Sequence, residues 1–149
     1  MEMAENDLAY LAGIIDGEGC IDIPKQSKST VRVPRTIRIV ITNTSPILID
    51  WLVHKFDGKA YERKKGNYKH RCWSVYWHCR KAEALLVEVL PYLKIKREQA
   101  ELALSFQRLI TSPRGIKGKR CSTIPEREAV IEAMHILNSG GKYDGVYPK

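Results

Sequence analysis

Three acidic residues stand among glycines near the start of the chain, and their spacing is the first feature that could do chemistry. They are Asp16, Glu18 and Asp22. Carboxylate oxygens are hard ligands that suit divalent cations. A calcium loop counted from Asp16 would need glycine at its sixth position and glutamate at its twelfth, but these positions hold Ile21 and Ser27. The stretch is therefore not a calcium loop of this kind.

The glycines of the same stretch do not form a phosphate-binding loop either. Such a loop follows a strand and opens a helix, whereas Gly17 and Gly19 stand at the end of a predicted helix. On spacing alone, an ordinary helix-to-strand turn with incidental acids remains an alternative, because turn glycines are common.

The residues before Glu18 predict a short helix that positions its carboxylate. Asn6 or Asp7 can accept the first free backbone N–H groups. One face of the helix carries apolar side chains for a core, namely Leu8, Leu11 and Ile15. Gly17 and Gly19 end the helix, and the alternation of the following residues predicts a strand. Glu18 therefore sits where a helix ends and a sheet begins.

A second face of this helix carries minimal side chains, namely Ala9, Gly13 and Gly17. Such a face costs helix stability but lets another backbone approach closely. The chain holds no second helix of this kind, so a two-fold pairing of two copies is the economical explanation. This pairing would bring two Glu18 carboxylates close together at two helix C-termini, where their repulsion calls for cations.

The nine residues Leu11 to Gly19 resemble the signature of the LAGLIDADG homing endonucleases and depart from it at Ile14, Gly17 and Glu18. The resemblance implies that Glu18 and the Gly17 carbonyl bind Mg²⁺, for which Mn²⁺ or Ca²⁺ can substitute. Because only one copy of the signature is present, it also implies a homodimer. The predicted dimer interface consists of Ala9, Ala12, Gly13, Asp16 and Gly17.

The resemblance covers roughly residues 8 to 110 and assigns two more residues to the active site. Residues 91–100 are similar to the family segment that delivers an active-site lysine, and the match places that role on Lys96. Residues 41–44 place Asn43 where the family often has an amide near the attacking water. Both residues have ordinary alternatives, since Lys96 could be a surface lysine and Asn43 a turn residue.

Positive charge is concentrated in two segments. The formal net charge is +8 at pH 7. Residues 24–42 hold five basic residues and no acid, and residues 59–81 hold eight basic residues and one acid, so the rest of the chain is net negative. A polyanion such as nucleic acid is the first candidate for a partner of such segments.

Hydrophobic patterning predicts one α+β domain with the element order αββαββα and further helices at the C-terminus. The strands are predicted over residues 19–26, 34–42, 59–65 and 69–78, and they form a four-stranded antiparallel sheet with helices on its apolar face. The core spans about residues 8–110, a helical extension about 111–139, and a loose tail 140–149.

The facing of the strands differs in clarity between the two pairs. Ile37, Ile39 and Ile41 alternate cleanly with polar residues and face the core. The second pair has two possible facings, because a slip of one residue exchanges the two sides. One facing buries Ala60, Trp73 and Val75 and turns outward Tyr61, Arg63, Cys72, Ser74 and Tyr76.

Both basic segments coincide with predicted strand pairs, so we expect the sheet face away from the helices to contact DNA. Outward side chains would read bases, and Lys and Arg would hold phosphates. The predicted DNA-binding residues are Asp22, Pro24, Gln26, Lys28, Arg32, Thr36, Arg38, Val40, Thr42, Tyr61, Arg63, Ser74 and Tyr76.

With the resemblance, these patterns predict a homodimeric, Mg²⁺-dependent homing endonuclease that cuts both strands of a long, near-palindromic DNA site. Two other functions of the same fold stay open: a maturase that binds intron RNA, and a DNA-binding regulator without metal chemistry. The acidic N-terminus lacks an apolar run, and no segment is apolar enough to enter a membrane. We therefore expect an intracellular protein that is not secreted.

Overall fold

A computed structural model describes residues 3–24, 36–64, 69–111 and 124–140. The order αββαββα followed by two more helices confirms the predicted fold class. The elements of the described residues are α1 (Glu5–Glu18), β1 (Gly19–Asp22), β2 (Arg38–Asn43), α2 (Pro46–Phe56), β3 (Lys59–Glu62), β4 (Trp73–His78), α3 (Cys79–Val89), a 3₁₀ turn (Leu90–Tyr92), α4 (Arg97–Thr111) and α5 (Ile124–Asn138).

The four strands form one antiparallel sheet in the order β1-β2-β4-β3. β2 and β4 lie in the centre because the chain crosses through α2 between the two strand pairs. β1 is an edge strand, and its first residue, Gly19, pairs with Ile41 of β2. This register places the end of α1 beside the end of β2.

The inner face of the sheet forms the core with the helices. Ile39 and Ile41 of β2 and Val75 and Trp77 of β4 are all buried. α1 packs on β2, α2 and α3 pack on β4, and α4 and α5 pack on β1. The alternation of the isoleucines in β2 is confirmed, because burying one face of a strand requires a period of two.

The N-terminus of α1 differs from the prediction. The helix begins at Glu5, and its N-cap is Ala4, which has no side-chain cap. The Ala4 carbonyl accepts the backbone N–H groups of Asp7 at 2.9 Å and Leu8 at 3.2 Å. The predicted capping by Asn6 or Asp7 is therefore wrong, because the N-cap lies two or three residues earlier than these positions.

At two positions only glycine fits, because a Cβ atom there would collide with neighbouring atoms; neither residue has a positive φ angle. A Cβ atom at Gly19 would lie 2.7 Å from the Ile15 Cα atom. A Cβ atom at Gly58 would overlap the Val75 side chain. The residue that ends α2 in the left-handed conformation is Asp57, with φ 53°, and Gly58 follows it.

The second strand pair follows the first of the two predicted facings, with two exceptions. Val75 faces the core, and Trp73 is partly buried against it. Ala60 is exposed because it lies in β3, an edge strand whose four residues are all exposed. Cys72 is buried, although it was predicted to face outward, because it precedes β4 and strand alternation does not extend to it.

No helix within the described ranges has both the length and the apolar character needed to cross a membrane.

Candidate functional site

Glu18 and Asn43 meet where α1 and β2 end, although they are 25 positions apart in the sequence. Asn43 Nδ2 donates a hydrogen bond to Glu18 Oε2, and Asn43 Oδ1 accepts the backbone N–H of Ser45 at 2.8 Å. The second bond turns the amide so that its NH₂ group faces the carboxylate. One oxygen of Glu18 is thereby oriented, and no hydrogen bond to Oε1 forms within the described residues.

Lys96 reaches the same end of α1 from the segment before α4. Its ammonium group donates to the carbonyl oxygens of Ile15 at 2.7 Å, Asp16 at 2.9 Å and Gly19 at 2.6 Å. Ile15 and Asp16 lie in the last turn of α1, where carbonyls carry partial negative charge, and the Ile15 carbonyl also accepts the Gly19 backbone N–H. Burial lowers the pKa of Lys96 below its ordinary value, although the Asp16 carboxylate opposes the shift. Because an ammonium group has three protons, Lys96 uses all of them to cap α1.

Asp16 makes the reciprocal contacts. Its Oδ2 accepts the backbone N–H of Lys94 at 2.7 Å, and its Oδ1 accepts that of Lys96 at 2.9 Å. Partial burial alone would raise the pKa of Asp16, but these donors, the Ile95 N–H and the Lys96 charge outweigh it and lower the pKa below its ordinary value. Each side chain thus bonds to the backbone of the other's segment, and the two segments are held together.

These residues form one corner of the molecule. We call Asp16, Gly17, Glu18, Asn43 and Lys96 the α1 corner. The carbonyls that Lys96 caps are those of Ile15, Asp16 and Gly19, so the Gly17 carbonyl is not among them. In the part of the chain that the structure describes, no three His, Cys, Asp or Glu side chains cluster as a metal site would require. One chain therefore offers a single carboxylate and a neighbouring carbonyl.

The sheet side away from the helices starts at this corner. Strand pairing places on it the side chains that we call the outer face: Cys20, Asp22, Arg38, Val40, Thr42, Lys59, Tyr61, Ser74, Tyr76 and His78. Seven of these residues were predicted to bind DNA, and they do share one surface. This shared surface is polar and aromatic, as a face that receives a polar ligand would be.

The residues of the outer face are bonded to one another. Asp22 and Arg38 are cross-strand partners joined by an ion pair. Thr42 Oγ1 and Ser74 Oγ are 2.7 Å apart. Ser74 is buried although it belongs to the outer face, since its hydroxyl is engaged with that of Thr42.

The other six predicted DNA-binding residues lie either next to the ends of the strands or outside the described ranges. Pro24 follows β1 and Thr36 precedes β2, and both are half-buried. Arg63 follows β3, and its backbone N–H donates to the Cys72 carbonyl at 2.8 Å. Outside the described residues lie Gln26, Lys28 and Arg32.

Lys59 and His78 belong to the outer face but were missed in the sequence. The signal was present, because each lies two residues from a predicted member, Tyr61 or Tyr76, in the same strand. The His78 ring stacks on Tyr76 with centroids 5.9 Å apart. Burial and then the Arg38 charge lower the pKa of His78 below its ordinary value.

The predicted dimer interface is only partly at the surface. Ala9, Gly13 and Gly17 are exposed, and we call them the small-residue face. Ala12 is fully buried in the chain's own core, so its placement on the interface is wrong: it lies three residues from Ala9 but turns inward with Leu11. Asp16 is half-buried, and its carboxylate is engaged within the chain.

Comparison with solved structures identifies the fold. No protein-family model matches the sequence, and no curated protein matches it. The homing endonuclease I-CvuI, solved with its target and calcium, aligns with a TM-score of 0.68 at 20% identity, over 97% of this chain and 87% of I-CvuI. The archaeal intron-encoded homing endonuclease I-Vdi141I, complexed with DNA, aligns with a TM-score of 0.69 at 12% identity, over 97% and 89%. The chain has the LAGLIDADG homing endonuclease fold.

A third structure carries the family name of the predicted signature. The LAGLIDADG meganuclease I-AabMI, bound to uncleaved DNA, aligns with a TM-score of 0.52 at 21% identity, over 69% of this chain and 36% of I-AabMI. Together with the other two structures, it confirms at the level of the fold the resemblance found in the nine residues Leu11 to Gly19. In this LAGLIDADG fold, the α1 corner lies at the end of the helix that contains the signature.

Proposed function

We propose that this chain is a homing-type endonuclease that binds a long, near-palindromic double-stranded DNA site as a homodimer and hydrolyses both strands with a divalent cation. The α1 corner is the observation that carries this proposal. It places an oriented carboxylate at a helix end, directly beside the polar outer face of the sheet. I-CvuI, I-Vdi141I and I-AabMI are bound to DNA, which supports duplex DNA as the ligand of this fold.

The donor atoms of the α1 corner fit Mg²⁺. Glu18 Oε1 and the Gly17 carbonyl are hard oxygens, the kind that Mg²⁺ prefers. Two oxygens per chain are fewer than the six ligands that Mg²⁺ takes, so a second copy would have to complete the set with its own pair and with water. Structures of I-CvuI with DNA were solved in the presence of calcium in one case and magnesium in another, which supports a divalent cation here, with Mn²⁺ or Ca²⁺ as substitutes. When bound, Mg²⁺ would polarise the scissile phosphate and stabilise the attacking and leaving oxygens.

In the proposed reaction, each polar side chain of the α1 corner has a separate role. Glu18 would hold the cation through Oε1, while Asn43 keeps the carboxylate oriented and would orient the attacking water. Lys96 holds the helix end in place through three carbonyls. Its positive charge would also stabilise negative charge that develops at the phosphate.

The small-residue face supports a homodimer. Gly13 and Gly17 lie inside α1, and a Cβ atom at either position would meet nothing within 4 Å. Each glycine costs the helix about 1 kcal/mol relative to alanine, so the chain's own packing gives no reason to keep them. Close approach of the α1 helix of a second copy would explain these glycines, because a side chain at either position would hold the two backbones apart.

Cleavage of a randomised duplex library tests the proposal. The wild-type protein with Mg²⁺ should produce double-strand breaks at one long motif. Glu18→Gln, which removes the charge and keeps the shape, should lose about a thousandfold or more of that activity. Glu101→Gln is the matched control, because Glu101 lies on α4 in an exposed ion pair with Arg97 and should leave cleavage unchanged.

Other outcomes of the same experiment identify the alternatives. Binding to one motif without breaks would favour a DNA-binding regulator. Preference for folded intron RNA over duplex DNA would favour a maturase. Equal cleavage by wild-type protein and Glu18→Gln would contradict the assigned centre.

A further inference from the structure

Arg38 is held in one orientation on the outer face, at the start of the central strand β2. Arg38 Nε donates to Asp22 Oδ1 at 2.8 Å, and Arg38 Nη2 donates to Asp22 Oδ2 at 2.5 Å. The two residues are direct cross-strand partners in β1 and β2, so the sheet register itself sets this pair. The carboxylate therefore takes the side edge of the guanidinium group, which consists of Nε and one proton of Nη2.

The other edge of the same group is left for a ligand. A guanidinium group has five N–H donors, and Asp22 takes two of them. The end of the fork, with one proton each on Nη1 and Nη2, has no hydrogen-bond partner within residues 3–24, 36–64, 69–111 and 124–140. Tyr76 flanks the group, with its ring centroid 6.0 Å from Arg38 Cζ, and His78 stacks on Tyr76. The fork is thus fixed from two sides and partly exposed.

The two parallel N–H donors of Arg38 match the major-groove edge of guanine better than that of any other base. Guanine presents two adjacent acceptors there, O6 and N7, whereas adenine and cytosine present a donor and thymine presents one acceptor beside a methyl group. A fork that is already oriented loses little side-chain entropy when it binds, which strengthens the preference. We propose that Arg38, positioned by Asp22, determines specificity by reading one guanine in each half of the DNA site.

This proposal rests on the proposed function, since it names a base that the outer face would recognise. The same chemistry recurs elsewhere on the molecule and provides a control. Arg71 Nε and Nη2 donate to the two carboxylate oxygens of Glu62 at 2.9 and 3.2 Å, and Arg71 lies 5.8 Å from the Trp73 ring centroid.

The Arg38–Asp22 pair and the Arg71–Glu62 pair differ in the face of the sheet to which their strand residues belong. Glu62 pairs with Trp73, and strand alternation places both on the side of Val75, which faces the helices. Asp22 and Arg38 lie on the opposite, outer face. If substitutions act through charge or folding alone, they should have the same effect in both pairs. If Arg38 reads a base, only substitutions in the Arg38–Asp22 pair should change base preference.

Selection of binding sites from a randomised duplex pool, with calcium in place of magnesium, tests the inference. The wild-type protein should prefer guanine by about tenfold to a hundredfold at one position of each half-site. Arg38→Lys keeps the charge but removes the fork, so this preference should be lost while the preferences at other positions remain. Asp22→Asn should weaken the same preference and leave binding to unrelated DNA unchanged or tighter, because one negative charge is removed.

Arg71→Lys and Glu62→Gln serve as matched controls and should leave every base preference unchanged. Thermal unfolding of each variant shows whether it is folded. If the wild-type protein selects a motif and Arg38→Lys and Asp22→Asn retain every preference in it, the guanine assignment is wrong and the proposed function stands. If the wild-type protein selects no motif, both are wrong.

Discussion

The α1 corner and the outer face are both polar, but their side chains are held in different ways. In the corner, most bonds of the side chains go to the backbone: Lys96 bonds to three carbonyls and Asp16 to two backbone N–H groups, and the Asn43 side chain that bonds to Glu18 also accepts a backbone N–H. On the outer face, side chains bond to side chains, as Arg38 does to Asp22. A group that is bonded to the backbone fixes the path of the chain, whereas a pair of side chains can exchange a bond for one to a ligand.

The two regions also differ in whether one chain completes them. The outer face is built from four strands of the same chain. The corner offers one carboxylate and one carbonyl, and in the proposed homodimer the second copy would supply the other half of the cation site. We therefore expect changes at the corner or at the small-residue face to affect cleavage of every substrate, and changes on the outer face to affect which substrate is bound.

The largest expected effect comes from separating the two copies. Gly13→Leu places a side chain into space that is open in the single chain, so α1 itself should not be destabilised. The side chain should block the approach of the partner helix and abolish double-strand cleavage. Sedimentation should show a dimer for the wild-type protein and a monomer for the variant, with equal helical signal in circular dichroism. A Gly13→Leu protein that remains a dimer and cuts DNA would place the interface elsewhere.

The next effect distinguishes binding by the outer face from chemistry at the corner. If Lys and Arg on and around the outer face neutralise six to ten phosphates, affinity for the selected duplex should fall by about a thousandfold or more between 50 and 200 mM salt. The cleavage rate of the saturated complex should change far less, because the corner residues are fixed by hydrogen bonds within the chain. Fluorescence anisotropy and single-turnover cleavage at each salt concentration measure the two. A flat binding curve would count against the sheet as the DNA-binding surface.

Removing the Lys96 ammonium group should lower both the stability of the protein and its cleavage activity. Lys96→Met removes one donor from each of three carbonyls, of which that of Ile15 keeps the Gly19 N–H, and we expect the free energy of unfolding to fall by about 1–3 kcal/mol. Cleavage should fall about a hundredfold, because Gly17 and Glu18 would lose their fixed position. Lys94→Met is the matched control, since Lys94 is exposed two residues away. Full stability with lost cleavage would instead assign Lys96 a purely electrostatic role.

The smallest effect concerns the charge of Asp16. Because its pKa is lowered in the folded protein, the folded state binds this proton more weakly than the unfolded chain does. The stabilisation is complete above the ordinary aspartate pKa of about 4 and is lost as pH falls through the lower, folded value. Asp16→Asn should therefore be less stable by about 1 kcal/mol at pH 7, and the difference from wild type should shrink by pH 3.

Chemical denaturation at both pH values measures this difference. Asp50→Asn, at an exposed position of α2, should behave like wild type at both. A difference for Asp16→Asn that persists unchanged at pH 3 would show that the negative charge is not what stabilises the contact.

Local patterns predicted much of the fold. The period of two in Ile37, Ile39 and Ile41 follows from burying one side of a strand, and it identified β2 and its outer residues. Ser45 followed by Pro46 is a local pattern typical of a helix start, and at the start of α2 Ser45 Oγ accepts the Leu48 N–H at 3.4 Å. Such signals depend on neighbours within a few residues.

The contacts of the α1 corner depend on distant residues and were harder to predict. The resemblance assigned Lys96 and Asn43 to the site, but neither spacing nor composition indicates that Lys96 caps a helix some 80 positions earlier. Ala12 shows a related difficulty. A small residue fits a helix interface and a tight core equally well, and only the rotation of α1 against the sheet decides between them.

The central claim is that two copies of α1 meet over one duplex and complete the corner together. Native mass spectrometry of the protein with the selected full-length site, in calcium, tests this claim most directly. We predict a complex of two chains and one duplex, and two chains are also predicted when only one half-site is intact. A complex of one chain and one duplex, cut in both strands when magnesium is added, would contradict it.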